Sequence, residues 1–353
     1  MKQERRRRKA RADTEAKRLA RRPRELPAHW QEWLAENLMR GVRPDALKAV
    51  TDRNALDGRL VDETMERIGV SPIFAAGYKI GQRKQKFTTL LEALSKLYRQ
   101  SGYAESFQKI DRLPAAKFYR DFYHRNRPVV VRGLMSDWPA LKRWTPTFFG
   151  RRFGEVEIEI TDGRNADARF EDNFEAHRSR IKMKDYVNRI TRGGPTNDCY
   201  LVAKNFLLER EEFKELYKDF RCPKGYLEPA TVQGRARIWF GPQGTLTPLH
   251  HDACNILFAQ IRGRKRVQLI SPYDLERVYN DRNCYSSVDL ENIDYEKFPL
   301  MKDVSIIDVV LHPGEFILLP IGWWHWVRSL DISLSISFTN FCVSENIVWG
   351  YRS

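Results

Sequence analysis

The feature that most restricts the fold of this chain is a strictly alternating stretch near its C-terminal end. Apolar and small hydroxyl residues take turns there: Ile332, Leu334, Ile336 and Phe338 alternate with Ser333, Ser335, Ser337 and Thr339. Successive side chains of a β-strand point to opposite faces. A period of two therefore predicts a strand with one apolar face turned towards a core.

Several shorter runs of strand-forming residues, bounded by turn residues, precede this strand. They occupy residues 127–133, 156–161, 235–241, 255–261, 264–270, 315–320 and 326–330. The short turn at Arg262-Gly263 predicts a hairpin between residues 255–261 and 264–270. Many short strands with few helices between them predict an antiparallel double-sheet barrel, with helices on its N-terminal side.

The N-terminal part of the chain has a different composition. Residues 1–24 contain twelve Lys and Arg residues and three acidic residues, and so carry nine of the fifteen net positive charges of the chain. Apolar residues at three- and four-residue spacing then predict helices at Trp30–Leu38 and Phe87–Tyr98. We predict a basic, disordered arm at 1–26, a helical appendage at 27–110 and a main domain at 111–353.

The same composition bears on partners and location. The basic arm favours attraction to nucleic acid or an acidic partner, although a solvated arm without a partner would have the same composition. The helical appendage leaves a homodimer open. Apolar runs are shorter than the roughly 18 residues of a membrane helix, so no membrane partner is expected. Five scattered cysteines without CxxC spacing, and an Arg-rich start without an apolar stretch, predict a cytoplasmic protein.

The sequence contains two adjacent histidines and an aspartate, all possible metal ligands, at the end of Thr247-Pro-Leu-His-His-Asp252. On an extended strand, residues i and i+2 share a face, so His250 and Asp252 can reach one metal ion while His251 points away. His325, which follows a predicted strand, is the candidate third ligand. Two imidazoles and one carboxylate leave coordination positions open and suit iron(II) oxygen chemistry. The His-x-Asp pair alone also fits histidines of a core or a surface.

Several blocks of sequence around these residues have a characteristic order. They are Arg127–Gly133, Asp137–Ala140, Gly241–Asp252, Leu257–Lys265, Pro313–Glu315 and Trp323–His325. Over residues 110–345 they resemble the JmjC and cupin-like oxygenases, in particular a bacterial cupin-like branch related to the asparaginyl hydroxylase of the hypoxia-inducible factor. The resemblance implies a mainly β fold with a helical N-terminal part and a double-stranded β-helix (jelly-roll) core. It also implies that 111–353 is a catalytic domain that uses iron(II), O2 and 2-oxoglutarate as co-substrate.

The resemblance gives individual residues a role. His250, Asp252 and His325 match the iron ligands. Lys265 matches the lysine that binds the distal carboxylate of 2-oxoglutarate, and Thr247 and Tyr200 match its hydroxyl partners. Further candidates for a substrate or co-substrate pocket are Trp239, Asn255, Trp323, Ser337 and Thr339. The sequence departs from the family at Ile256, where many relatives have asparagine, and at Ser337 and Thr339, which replace an Asn/Trp pair.

These residues predict an iron(II)- and 2-oxoglutarate-dependent oxygenase that hydroxylates an unactivated C–H bond, on a protein or peptide side chain. One alternative is a hydroxylase of a small metabolite, because a fold does not determine its substrate. Another is a non-enzymatic cupin-like scaffold that binds a ligand or partner. The expected partner at the site is accordingly a protein, a peptide or a small molecule.

Overall fold

The computed structural model describes residues 25–104, 106–280 and 282–345. Nearly all of the predicted basic arm at 1–26 lies outside these residues. The chain divides into two compact units between Leu90 and Leu91. This division falls inside a helix, and the predicted boundary between residues 110 and 111 stays a prediction. Among the described helices, none is both long and apolar enough to cross a membrane.

The first unit consists of helices. They are α1 (Ala28–Met39), α2 (Pro44–Arg53), α3 (Gly58–Gly69) and the first part of α4 (Pro72–Gln100). Asp57 caps α3 by accepting a hydrogen bond from the backbone N–H of Arg59, which satisfies one of the free donors of a helix start. Leu34, Leu47 and Leu60 pack together as a small core. Along α4, by contrast, the apolar side chains of Ile73, Ile80 and Phe87 are exposed.

The second unit is built from β-strands. In chain order they are β1 (Lys109–Asp111), β2 (Val129–Arg132), β3 (Glu157–Thr161), β4 (Arg178–Lys182), β5 (Ala236–Gly241), β6 (Leu246–His251), β7 (Ile256–Arg262), β8 (Lys265–Ile270), β9 (Ile306–Leu311), β10 (Glu315–Leu319), β11 (Trp324–Ser329) and β12 (Ser333–Phe338). One sheet has the order β1-β2-β10-β7-β12-β5 and another β6-β11-β8-β9, while β3 pairs with β4. Strands β5 to β8 and β10 to β12 alternate between the two larger sheets. The predicted double-stranded β-helix core is confirmed.

Short helices fill the connections. They are α5 (Ala115–Phe118), which continues as a π-helix at Tyr119–Tyr123, α6 (Ala140–Arg143), α7 (Pro146–Arg152) and α8 (Met183–Arg192). Single turns of 3-10 helix occupy Arg164–Ala166, Phe174–His177, Ala203–Asn205, Leu207–Glu209, Pro229–Thr231 and Pro272–Asp274, and longer ones Glu211–Asp219 and Pro299–Asp303. In α8 the buried side chains recur at helical spacing, at Met183, Tyr186, Val187 and Ile190, so this helix buries one face.

The predicted hairpin of residues 255–261 with 264–270 is wrong. These segments form β7 and β8, which lie in different sheets: β7 pairs with β10 and β12, and β8 pairs with β9 and β11. Gly263, at a φ of 67°, turns the chain between the sheets. A Cβ there would lie 2.3 Å from the carbonyl oxygen of Ile332. A tight glycine turn marks a reversal of direction, but tertiary packing decides which strand becomes the neighbour.

Strand β4 escaped prediction because it is charged and half-exposed. It lies in a sheet of only two strands with β3, where Arg178 of β4 donates two hydrogen bonds to the carboxylate of Glu159. Cross-strand ion pairs stabilise this ribbon where an apolar face would otherwise be needed. An apolar period of two is therefore absent from its sequence.

The alternating stretch forms β12, and both of its faces are buried. Its apolar side chains, including Leu334 and Phe338, pack into the largest core. The serine face instead meets polar partners inside the barrel: Ser335 donates a hydrogen bond to Gln260 over 2.8 Å, and Ser337 accepts one from Trp239 Nε1 over 3.1 Å. The serine face of β12 thus brings polar groups into the barrel, and these two have hydrogen-bond partners there.

We predict that Gly263→Ala destabilises the protein much more than Gly314→Ala. Both glycines have positive φ, which costs an alanine about 1 kcal/mol, but a Cβ at Gly314 meets no atom within 4 Å. At Gly263 the methyl group would push against the backbone of Ile332, which adds at least ~2 kcal/mol. Urea unfolding of the two variants measures the difference. Equal losses would contradict the close approach of the two turns.

Candidate metal centre and its cavity

The pairing of β6 with β11 places two histidines side by side. In this antiparallel register His250 lies opposite His325, and the centres of their rings are 4.1 Å apart. Asp252 follows the end of β6, where its carbonyl oxygen accepts a hydrogen bond from the N–H of Gly322 over 3.1 Å. The ligand atoms of His250, Asp252 and His325 all lie within 4.8 Å of one another. The fold therefore gathers the three predicted ligands at one point.

Backbone carbonyls fix which ring nitrogen of each histidine faces this point. Nδ1 of His250 lies 2.8 Å from the carbonyl oxygen of Pro248, and Nδ1 of His325 lies 3.0 Å from that of Trp323. A carbonyl oxygen can only accept, so Nδ1 carries the hydrogen in both rings and Nε2 keeps its lone pair. Such hydrogen bonds from the far nitrogen orient metal-binding histidines.

The charges of the cluster also suit a cation. Burial lowers the pKa of His250 to about 4, so this imidazole is neutral near pH 7. Burial alone would raise the pKa of Asp252, but the neighbouring imidazoles of His325, whose Nε2 lies 3.3 Å from the carboxylate, and of His250 outweigh it and lower the pKa to about 2. A carboxylate beside imidazole nitrogens is a donor set that binds iron(II) and leaves positions open.

His251 lies on the opposite face of β6. Its ring packs against Trp324, with 4.7 Å between the ring centres, and its side chain is buried. Its neighbour across β11 is thus an aromatic core residue, while the neighbour of His250 is His325. The alternation of side chains along a strand separates the two adjacent histidines into one that faces the cluster and one that belongs to the core.

A cavity of about 790 Å³ extends from the three-residue cluster into the barrel. Lys265, Tyr200 and Thr247 line it together with the cluster. The Lys265 side chain is only 2% exposed, and its Nζ donates a hydrogen bond to the hydroxyl of Tyr200 over 2.8 Å. Within the described part of the chain no carboxylate forms a salt bridge with Lys265. Burial lowers the pKa of its ammonium group to about 7.

The burial of Lys265 indicates which kind of ligand the cavity fits. Burying a cation without a counter-ion costs several kcal/mol, on the order of the penalty known for isolated charges in proteins. A carboxylate placed beside Lys265 would remove most of that penalty and would accept hydrogen bonds from Lys265 and from the Tyr200 hydroxyl. The residues present thus fit a ligand that carries one carboxylate deep in the barrel.

The other predicted pocket residues divide into two groups. Trp239, Ser337 and Thr339 line the cavity. Asn255 lies outside it: its side chain accepts a hydrogen bond from the N–H of Ile321 and donates one to the carboxylate of Glu345.

Trp323 also lies outside the cavity. The sequence had made this residue a candidate for the substrate or co-substrate pocket. Its ring is buried in an apolar core cluster, and its Nε1 donates a hydrogen bond to the carbonyl oxygen of Asn126 over 2.8 Å. An indole whose donor is already satisfied inside a core packs the barrel and presents nothing to a ligand.

Sequence reasoning missed several residues of the cavity wall. Glu171, Asp172, Lys204, Arg282 and Tyr285 all line it. The ring of Tyr285 stacks on His250, with 5.6 Å between the ring centres. These residues come from connections between strands, where neither an apolar period nor a motif distinguishes them. Only the folded chain brings these three connections to the cluster of His250, Asp252 and His325.

Comparison with known proteins agrees with this geometry. The family model of the cupin-like domain matches residues 115–349. The chain is 30% identical over 233 residues to lysine-specific demethylase 8 of Xenopus tropicalis. The aligned region covers 64% of this chain and 51% of that protein. It is 31% identical over 228 residues to lysine-specific demethylase JMJ30 of Arabidopsis thaliana, with 63% and 51% covered. The chain thus spans about half the length of these two relatives.

A third relative has a different kind of name. The chain is 26% identical over 259 residues to tRNA wybutosine-synthesizing protein 5 of Gallus gallus, which covers 69% of this chain and 76% of that protein. The relatives of this chain thus include proteins named as lysine-specific demethylases and one named for wybutosine synthesis in tRNA.

We predict that His250→Ala lowers the affinity of the protein for Mn(II) by more than about a hundredfold, because a direct ligand should matter at least as much as the residues that orient one. His251→Ala is the matched control, and its affinity should stay within about threefold. Titration of the metal-free protein with Mn(II), followed by the relaxation of water protons, measures both. Equal losses in the two variants would contradict the assignment of faces on β6.

Proposed function

The chain belongs to the JmjC/cupin-like family, and we propose that it is an iron(II)- and 2-oxoglutarate-dependent oxygenase. JmjC proteins use iron(II), 2-oxoglutarate and O2. The observation that carries the proposal is a single cavity that contains both the cluster of His250, Asp252 and His325 and the buried Lys265, which has no carboxylate partner among the described residues. A site for a metal and a site for a carboxylate in one cavity match the two ends of 2-oxoglutarate.

In this proposal His250, Asp252 and His325 hold the iron. The carbonyls of Pro248 and Trp323 keep both Nε2 atoms turned towards the metal. When bound together, iron(II), 2-oxoglutarate and O2 supply the oxidising power for attack on an unactivated C–H bond. The protein contributes the arrangement of ligands and the positions left free for the other reactants.

Lys265, Tyr200 and Thr247 bind the co-substrate in this proposal. Lys265 supplies the charge that attracts the distal carboxylate, and Tyr200 holds the ammonium group in place through their 2.8 Å hydrogen bond. Thr247 lies on the same strand as His250, and both side chains line the cavity. A co-substrate bound between them would therefore be fixed at one end by charge and along its length by hydroxyl groups.

Apolar side chains form the rest of the inner wall. Phe258, Val267, Ile317, Leu319 and Val327 all line the cavity. They exclude water from the space between Lys265 and the cluster of His250, Asp252 and His325. This strengthens the attraction between the lysine and a carboxylate. Exclusion of water also protects a reactive site from side reactions.

For the substrate we propose a protein or peptide side chain that becomes hydroxylated. Support comes from two relatives named as lysine-specific demethylases. Demethylation of a methyl-lysine begins with oxidation of a C–H bond, so both outcomes use the same site. A small metabolite is the alternative substrate, and a scaffold that binds a ligand without turnover is the alternative class. The complete cluster of His250, Asp252 and His325 beside Lys265 and Thr247 disfavours the scaffold, because a scaffold that only binds a ligand does not need all of these residues.

We predict that the purified protein with iron(II), O2 and 2-oxoglutarate produces succinate, slowly without a substrate and faster with one. Lys265→Met should lower succinate production at least tenfold through loss of co-substrate binding, while the exposed Lys302→Met should not change it. Mass spectrometry of host proteins and peptides distinguishes hydroxylation, a gain of one oxygen, from loss of a methyl group. Absence of succinate with every substrate would contradict the oxygenase.

We also predict that affinity for 2-oxoglutarate falls as pH rises above about 7. The pKa of Lys265 is about 7 without a ligand, and a bound carboxylate raises it. Between these two pKa values binding takes up a proton, so affinity drops about tenfold per pH unit. Titrations of the Mn(II)-loaded protein between about pH 6 and 9 measure this slope. Lys265→Arg stays protonated throughout and should bind with a flat profile; a flat profile in the unchanged protein would exclude a titrating Lys265.

Other expectations about partners stay predictions. An exposed apolar row along α4, formed by Ile73, Ile80 and Phe87, offers a surface for a second copy of the chain. The homodimer stays a prediction. A role of the basic arm in binding nucleic acid or an acidic partner, and a cytoplasmic location, rest on the sequence alone.

A further inference from the structure

The strand that carries His250 has an unusual second neighbour. Strand β6 lies at the edge of its sheet, where one row of backbone groups would otherwise be unpaired. Residues 282–286, here called the edge segment, pair with that row. The N–H of His251 donates to the carbonyl of Cys284 over 3.1 Å, and the N–H of Ser286 donates to the carbonyl of Leu249 over 2.9 Å. The edge segment thus acts as a short additional strand beside the three proposed metal ligands.

This pairing brings Tyr285 directly opposite His250. The two residues form an antiparallel bridge, and their rings stack at an angle of 28° with centres 5.6 Å apart. On the other side, His325 of β11 lies opposite His250 as well, with 4.1 Å between the ring centres. The imidazole of His250 therefore lies between two cross-strand rings. Its tilt is limited on both sides.

Tyr285 is itself held at several points. Its hydroxyl lies 3.5 Å from Oε2 of Glu171, and Oε1 of Glu171 accepts a hydrogen bond from the fully buried Arg164 over 3.1 Å. Its carbonyl oxygen accepts a hydrogen bond from the side chain of Asn280 over 2.8 Å. Burial and the nearby carboxylate of Glu171 raise the pKa of the Tyr285 phenol, so it stays neutral.

A second connection anchors the edge segment. Arg282 donates a hydrogen bond to Asp172 over 2.6 Å and another to the carbonyl of Ser286 over 3.0 Å. The segments 164–172 and 282–286 are therefore joined by charged and polar contacts next to the cavity. Tyr285 is thus a fixed surface against which the ring of His250 rests.

We propose that Tyr285 is a positioning residue for the metal centre: its ring fixes the plane of the His250 imidazole and keeps Nε2 directed at the metal. It makes no contact with the reacting groups in this role. Residues that orient a metal ligand typically change metal affinity by about 10- to 100-fold when they are replaced. The inference rests on the metal site of the proposed function and is independent of the co-substrate and the reaction.

Metal affinity without co-substrate tests this role. Tyr285→Leu should lower Mn(II) affinity about tenfold, because an aliphatic side chain lacks the flat surface that restrains the imidazole. Tyr285→Phe keeps the ring and should stay within about threefold of the unchanged protein. Tyr273→Leu removes another half-buried tyrosine, which contacts Tyr98, and serves as the control. Unchanged affinity in Tyr285→Leu, or an equal loss in Tyr285→Phe, would overturn the role of the ring.

A measurement on the metal-free protein provides a second readout. Nitrogen NMR of ¹⁵N-histidine-labelled protein reports which ring nitrogen of His250 carries the hydrogen. The unchanged protein and Tyr285→Phe should show the hydrogen on Nδ1, and Tyr285→Met, with an unbranched side chain that fills the site, should show a mixture of both forms. A single Nδ1 form in Tyr285→Met would overturn the inference. Failure of all variants and of the unchanged protein to bind Mn(II) would instead overturn the proposed metal site.

Discussion

The antiparallel pairing of β6 with β11 is the interaction on which the rest of the site depends. Its register sets His250 opposite His325. A shift of β6 by one residue would exchange the faces of the strand, turning His251 towards the cluster and His250 into the core. The register also changes between His325 and Val327, where β11 departs from β6 while it stays in step with β8. Irregular pairing of this kind often redirects side chains beside active sites. The same strand pair therefore holds the sheet together and gathers the ligands.

The cavity shows a second constraint, which opposes stability. Among the described residues Lys265 is buried without a carboxylate partner, whereas Arg164, the other buried lysine or arginine, pairs with Glu171. An unpaired buried charge weakens the folded state. Its pKa of about 7 means that the lysine gives up its proton far more readily than an exposed lysine. The folded protein carries this cost, and the proposed ligand would remove it on binding. Lys265 thus lowers the stability of the folded protein and raises its affinity for the proposed acidic ligand.

Much of the fold and of the proposed metal site could be predicted from the sequence, because local rules determine them. Strand β12 follows from its period of two, and the grouping of His250 with Asp252 follows from their spacing on a strand, because both are local rules. The hairpin of β7 with β8 could not be excluded, since Gly263 permits a reversal whichever strand becomes the neighbour. Tyr285 could not be found at all, because its contact with His250 depends on a distant connection that pairs with the edge of β6. Local patterns thus predict elements and faces, while contacts between connections require the fold.

The central claim is that one cavity holds iron(II) and 2-oxoglutarate together. Its most direct test is an anaerobic titration of the full chain, first with iron(II) and then with 2-oxoglutarate, followed by visible absorption. Coordination of the keto acid to iron(II) gives a weak charge-transfer band, which should develop only when both are present and saturate at one of each per chain. The band should be absent from His250→Ala. No band in the unchanged protein at saturating concentrations of both would contradict the claim.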